Sequence, residues 1–337
     1  MTWHIRLAAL LATGTISMGC SSSRSGGPDG GAQSVVTLST QLGAPYGAYD
    51  LVLGKTTVYW AESSSGGGGY ILSVPAAGGA TATLAGSIDY PTGLAADTSR
   101  VFWTSSAGTL DGGSIESVPA SGGSQATIAS GLSYPSAIAT DGTNVYFTAS
   151  SPCATATCTG YVLSVPVGGG TVSTLASHAG AGTWIFSAHG QLYWTTQDGR
   201  VLTVPTSGGT PRQLAYEVTT GVAVVADQAA AYWTNTAGDV MRLPLDGGKA
   251  TVLALGQSPL PALVVDDTSV YWINSSSGFN SSGATAGVLK VPIGGGPVTT
   301  IPNPDGGYFQ GLAIDDTSLY LLLGGNQSTS VLKVTPK

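Results

Sequence analysis

Seven times along this chain a short apolar strand carries a central aromatic pair or its equivalent: VYW at 58–60, VFW at 101–103, VYF at 145–147, LYW at 192–194, AYW at 231–233, VYW at 270–272 and LYL at 319–321. The central residues, from Tyr59 to Tyr320, are spaced by 43, 44, 47, 39, 39 and 49 residues. A period of this size means one supersecondary unit copied along the chain, and a unit that cannot bury its apolar face alone must stack on its copies.

Three companion strands accompany each aromatic strand. Upstream lies an apolar segment: Asp50–Leu53, Gly93–Ala96, Ala137–Thr140, Trp184–Ser187, Val222–Ala226, Ala262–Val265 and Gly311–Ile314. Downstream is a strand ending in an apolar residue and Pro, from Val74-Pro75 to Val291-Pro292, with Val334 lacking its Pro in the last copy. After a glycine turn comes a fourth strand: Ala82–Ala85, Ala126–Ala129, Ser173–Ala176, Arg212–Ala215, Thr251–Ala254 and Val298–Ile301. Four antiparallel strands per 40–50 residues make a propeller blade. The last copy ends before its fourth strand, and SVVTLS at 34–39 has the missing pattern at the other end of the chain. The expectation is an all-β, seven-bladed β-propeller of four-stranded antiparallel blades over 34–337, its ring closed by strand 34–39 completing the last blade. Closure removes edges that an open array would leave free to pair with other chains.

Composition agrees with short strands and tight turns. Of 337 residues 50 are Gly and only 9% are charged, too few to give many helices wet faces. The net charge of −7 is thinly spread. With no basic stripe, nucleic acid is excluded as an expected partner.

Residues 1–19 read as a signal peptide: Arg6 is followed by the apolar run Leu7–Met18, which is short for a membrane span. The run ends at Gly19-Cys20 and three serines. This resembles a bacterial lipoprotein signal, which implies lipidation of Cys20, although Ser17 and Met18 stand where such signals usually carry Leu and a small residue. Residues 20–33, rich in Gly and Ser, read as a lipid-anchored flexible tether. The expected address is the bacterial cell envelope, facing periplasm or exterior, with the outer membrane favoured and secretion the outcome if Cys20 is not lipidated.

The pattern P-x-G-L-A-x-D-x-x-x-V-F-W at Pro91–Trp103, echoed at Gly311–Tyr320, resembles the YWTD-type propellers of lipoprotein-receptor ectodomains and uncharacterised bacterial secreted propellers. The resemblance covers 34–337 and implies the fold. The residues directly after the aromatic strands are Ala61, Thr104, Thr148, Thr195, Thr234, Ile273 and Leu322, none of them acidic, so receptor-like ligand binding is not implied.

Five copies place Asp five residues before the central aromatic: Asp97, Asp141, Asp227, Asp266 and Asp315, against Gly54 and Ala188 in the other two. Each sits in the turn between the first two strands, where Asp bonds its own backbone. Spread around a ring, they share no metal. After His4, only His178 and His189 remain, and no nucleophile, metal or phosphate motif can be assembled. No catalytic residue, metal or cofactor is expected. Cys153 and Cys158 are expected to form a disulfide in an exported chain, pinning a long loop.

Loops between second and third strands, and between blades, share one face. They vary from TTQDG to INSSSGFNSSGATAG and TASSPCATATCTG. Variable loops on one rim are where binding is usually built. Tyr46, Tyr90, Tyr134, Trp184 and Tyr308, with Phe309 beside the last, lie in the blade-to-blade segments there. They are candidate ligand-binding residues able to stack on a sugar or grip a peptide; capping of the blade interfaces is the alternative. The functional expectation is a monomeric binding or scaffold module with a glycan, peptide or protein partner, touching membrane only through its anchor. An enzyme, lyase or hydrolase, with a sparse site at the channel is the alternative.

Overall fold

The computed structural model describes residues 22–23, 33–42, 48–63, 68–89, 91–106, 111–151, 159–216, 223–235, 237–257, 259–274, 287–302, 308–324 and 328–337. These residues form seven antiparallel sheets arranged as blades, with no helix among them. Blade 1 runs Ala48–Leu53, Thr57–Ser63, Gly68–Pro75 and Ala82–Asp89 from the axis outward. Blades 2 to 6 repeat this order, with inner strands Pro91–Ala96, Ile138–Thr140, Gly182–Ala188, Ala223–Ala226 and Pro259–Val265. Blade 7 takes Tyr308–Ile314, Leu319–Gly324 and Ser328–Thr335 from the end of the chain.

Its outer strand comes from the other end. Ser34–Leu42 pairs antiparallel with Ser328–Thr335, from Ser34 opposite Thr335 to Leu42 opposite Ser328. The closing strand is three residues longer than the sequence pattern suggests. Ser22 and Ser23, placed in the tether by sequence, pair with Val35 and Ser34 and add a short fifth strand to this blade.

The aromatic strand is the second of each blade and packs on both faces, which explains why it is apolar throughout. Alternate side chains point to opposite sides of a strand. The central aromatic faces the next blade, while its two neighbours face the previous one. Thus Tyr320 of blade 7 packs with Val58 and Trp60 of blade 1, Tyr59 with Val101 and Trp103, and Tyr193 with Ala231 and Trp233. Seven such inter-blade cores close the ring. The five tryptophans at 60, 103, 194, 233 and 272 are fully buried.

Two kinds of turn share one rim. In the Pro-Gly turns the Pro75 carbonyl accepts from Gly78 N at 2.8 Å, and Gly78 has φ +89°. A side chain there would be strained, which is why the turn is marked by glycine. In the turns between first and second strands, one oxygen of Asp accepts two backbone N–H groups. For Asp315 the donors are Thr317 and Ser318, both at 2.7 Å. Asp97, Asp141, Asp227 and Asp266 do the same.

Candidate ligand-binding channel

The seven inner strands leave their free edges facing the axis and enclose a channel of about 620 Å³. This volume lies within the range of small-ligand pockets. Its long-loop end differs from the rest, and the cause is local register. In four blades the pairing of the inner strand with the aromatic strand skips one residue near the start of the inner strand. The skipped residues are Asp50 (between Tyr49 and Leu51), Thr92 (between Pro91 and Gly93), Thr183 (between Gly182 and Trp184) and Gln310 (between Phe309 and Gly311). A bulge leaves one residue unpaired and re-aims its side chain. All four bulge residues line the channel. Inner strands run from the long-loop face towards the Asp-turn rim, so these polar groups cluster at the long-loop mouth.

Asp50 is the only ionisable residue among the described residues lining the channel. It adopts a left-handed backbone, φ +53°, which Asp and Asn tolerate better than other side chains. Its Oδ2 accepts Leu94 N of blade 2 at 2.8 Å, capturing an edge amide of the neighbouring inner strand. Burial pushes its carboxyl up to about 6, the N–H groups of Leu94 and Leu51 offsetting only part of the desolvation. The strands packed against it are 57–63, 91–96, 308–314 and 319–324, and none carries Lys, Arg or His. On the adjacent blade Gln310 has a buried Oε1 without a partner, and on blade 4 the same is true of Trp184 Nε1.

The threonines that follow the aromatic strands tie blades together just behind this mouth. Thr104 Oγ1 donates to Ser136 O of blade 3 at 2.7 Å, and Thr148 Oγ1 reaches Gly182 O of blade 4 at 3.5 Å. One residue further on in blade 1 is Glu62, only 6% exposed, which accepts Trp60 Nε1 at 2.8 Å. Burial raises its carboxyl, with the Trp60 and Thr329 hydrogen bonds opposing. Reading only the residue directly after the aromatic strand overlooks this acid. It lies on the blade 7 side, so it supports the closing seam.

The aromatic candidates are dispersed. Trp184 lines the channel and packs partly against the cores of blades 4 to 6. Tyr134 is 38% and Tyr308 67% exposed. Phe309 is buried in the blade 6–7 core. Tyr46 and Tyr90 lie outside the described residues, as do Cys20, Cys153, Cys158 and most of the long second-to-third strand loops. His178 and His189 are exposed, and neither lines the channel. No group of three metal-ligating side chains occurs among the described residues.

No protein-family profile and no curated protein matches the chain. Solved structures do. A catalytically inactive histidine-to-alanine variant of virginiamycin B lyase from Staphylococcus aureus, crystallised with quinupristin, has a TM-score of 0.65 at 14% identity, covering 88% of this chain and 99% of the lyase. The WD40 propeller domain of Doa1 has a TM-score of 0.64 at 9% identity, covering 88% and 95%. The computationally designed Ika8 protein reaches 0.57 at 14% identity, covering 88% and 98%. This is a likeness of fold. The chain is a seven-bladed β-propeller, and a likeness of fold carries no activity with it, because function resides in sites grafted on a fold.

Proposed function

We propose that this chain is a ligand-binding module of the bacterial cell envelope, anchored through Cys20 and engaging a glycan or peptide on the long-loop face. The observation that carries the reading is the mouth of the channel. Four inner strands bulge there and bring Asp50, Thr92, Thr183 and Gln310 to the lining; Thr104 and Thr195 hold the two threonine hydroxyls, which leaves Asp50 and Gln310 as the polar groups for a ligand. A few convergent polar groups in a concave apolar site are the usual anatomy of a small-ligand pocket. Tyr134 and Tyr308 supply exposed rings on the same face.

The lyase neighbour raises the alternative of a channel enzyme. That protein loses catalysis when a histidine is replaced, whereas here the imidazoles of His178 and His189 are away from the channel lining. A single carboxylate lends itself to recognition more readily than to paired acid–base chemistry.

Binding is tested on glycan and peptide arrays with the chain lacking its first 21 residues. Wild type is expected to mark a restricted set of spots, and the double variant Tyr134→Ala, Tyr308→Ala to lose at least part of that signal while keeping its melting temperature. A protein that marks no spot would overturn the reading. The anchor is tested separately: an alkyne-tagged fatty acid fed to a bacterial host should label the full chain and not its Cys20→Ser variant.

A further inference from the structure

The strongest unexplained feature of the channel is a carboxylate with no counter-charge. Asp50 sits at a bulge in the left-handed region, partly buried, with backbone N–H groups as its partners. The strands around it contribute as titratable groups only Tyr49, Tyr59, Glu62, Tyr308 and Tyr320. Glu62 bonds Trp60, and the Tyr320 hydroxyl is held by Asp315. No cation of this chain lies on those strands. A desolvated, unpaired carboxylate is costly, and such groups cluster at functional sites. The costs accumulate here: a left-handed non-Gly residue, a β-bulge and an orphaned Gln310 Oε1 on the next blade. A left-handed acid at a bulge, with an orphaned amide oxygen on the next blade and both residues lining the channel, points to a ligand.

The sign of the ligand follows from the donors and acceptors. Of the residues lining the channel, Asp50 of blade 1 and Gln310 of blade 7 bring acceptors, the Gln310 Oε1 buried without a partner, and Trp184 of blade 4 brings a donor, its Nε1 likewise buried and unpartnered. We propose that the channel mouth binds a primary ammonium group carried by a small polar ligand, the ammonium seated between Asp50 and Gln310 and a hydroxyl or carbonyl of the ligand accepting from Trp184. Two sources carry that chemistry, an amino sugar and a lysine side chain of a peptide. The proposal deepens the binding reading above and rests on it.

Four probes separate the outcomes by isothermal titration calorimetry: glucosamine, Nα-acetyl-lysine methylamide, and the uncharged glucose and N-acetylglucosamine. At least one ammonium probe is expected to bind, and the two uncharged sugars not to. Affinity should rise with pH through about 6 as Asp50 ionises. Asp50→Asn should weaken binding about tenfold and remove the pH dependence. Asn tolerates the same backbone and still accepts Leu94 N–H, so the variant should keep its melting temperature. Preference for glucosamine assigns the amino sugar, and preference for the lysine derivative the peptide. Equal binding of charged and uncharged probes, or unchanged affinity in Asp50→Asn, overturns the ammonium assignment. Failure of all four probes, with array spots still marked, overturns it too and leaves the binding reading standing. Failure on both overturns both.

Discussion

Asp97 Oδ2 lies buried without a hydrogen-bond partner because position 102 is Phe. In four other blades the residue five places after the turn Asp is Tyr, and its hydroxyl donates to that oxygen: Tyr146 to Asp141 at 2.7 Å, Tyr232 to Asp227 at 2.8 Å, Tyr271 to Asp266 at 3.0 Å and Tyr320 to Asp315 at 2.7 Å. Each pair joins the rim turn to an inter-blade core. Blade 2 keeps the Asp and lacks the hydroxyl.

Phe102→Tyr should therefore stabilise the protein. The new hydroxyl satisfies an orphaned acceptor, a gain of about 1 kcal/mol. Tyr320→Phe creates the same orphan at Asp315 and should cost about 1–3 kcal/mol. Urea denaturation followed by tryptophan fluorescence measures both. A midpoint that falls for Phe102→Tyr would show that blade 2 has no room for the hydroxyl.

The same pairs make the fold sensitive to base. Burial, together with the adjacent Asp, pushes Tyr146, Tyr232 and Tyr271 up to about 12 and raises Tyr320 also. In the unfolded chain a tyrosine titrates near 10. Their stabilisation is whole below pH 10, and it declines as pH climbs towards 12, because the unfolded state then binds fewer protons. Melting temperature should fall steeply over that window. Absorbance at 295 nm should show these phenols ionising only as the protein unfolds; ionisation of all tyrosines near pH 10 with the fold intact would contradict this.

Blade number, ring closure and the Asp turns are legible in sequence because each rests on local spacing that is repeated: Asp to Tyr five apart, or Val-Pro before a glycine turn. The bulges are not legible. A skipped residue such as Thr92 or Gln310 is defined only against its partner strand, and the chain around it remains apolar and strand-like. Asp50 does leave a trace. Among the residues that open the upstream apolar segments it is the only acid, beside Gly93, Ala137, Trp184, Val222, Ala262 and Gly311. Comparing copies at that position, rather than searching for motifs, would have singled it out.

Lys337 pins two neighbouring turns. Its Nζ lies 3.0 Å from Asp266 Oδ2 in blade 6 and donates to Asp315 O in blade 7 at 2.6 Å. Burial alone would raise the Asp266 carboxyl, but hydrogen bonds from Thr268, Lys337 and backbone N–H groups outweigh it and bring the group down to about 2. Its contribution is present above the ordinary carboxylate value near 4 and disappears as pH falls towards 2. Lys337→Met should lower stability at pH 7 by about 1–2 kcal/mol, and the gap between variant and wild type should close near pH 2. A gap that stays constant from pH 7 to pH 2 would mean that packing, not charge, is what the variant loses.

Ring closure makes the strongest demand on the N-terminal strand. Ser34–Leu42 covers the edge of Ser328–Thr335, contributes Leu38 to the blade 7–1 core, and joins blade 1 through Ser39 Oγ to Thr81 Oγ1 at 2.7 Å. Removing residues 1–42 leaves an unpaired edge, which is a template for association, and opens the core around Trp60 and Tyr320. The truncated chain should aggregate or elute as oligomers in size-exclusion chromatography, whereas a chain starting at residue 33 should not. A synthetic peptide of residues 33–42 added during refolding should restore the monomer by donating the missing strand. Its scrambled counterpart should fail, because Val35 and Thr37 must meet Val334 and Leu332 in register for Leu38 to reach the core. A truncated chain that folds as a stable monomer without peptide would show that three strands suffice for blade 7, and that closure depends on the inner-strand contacts alone.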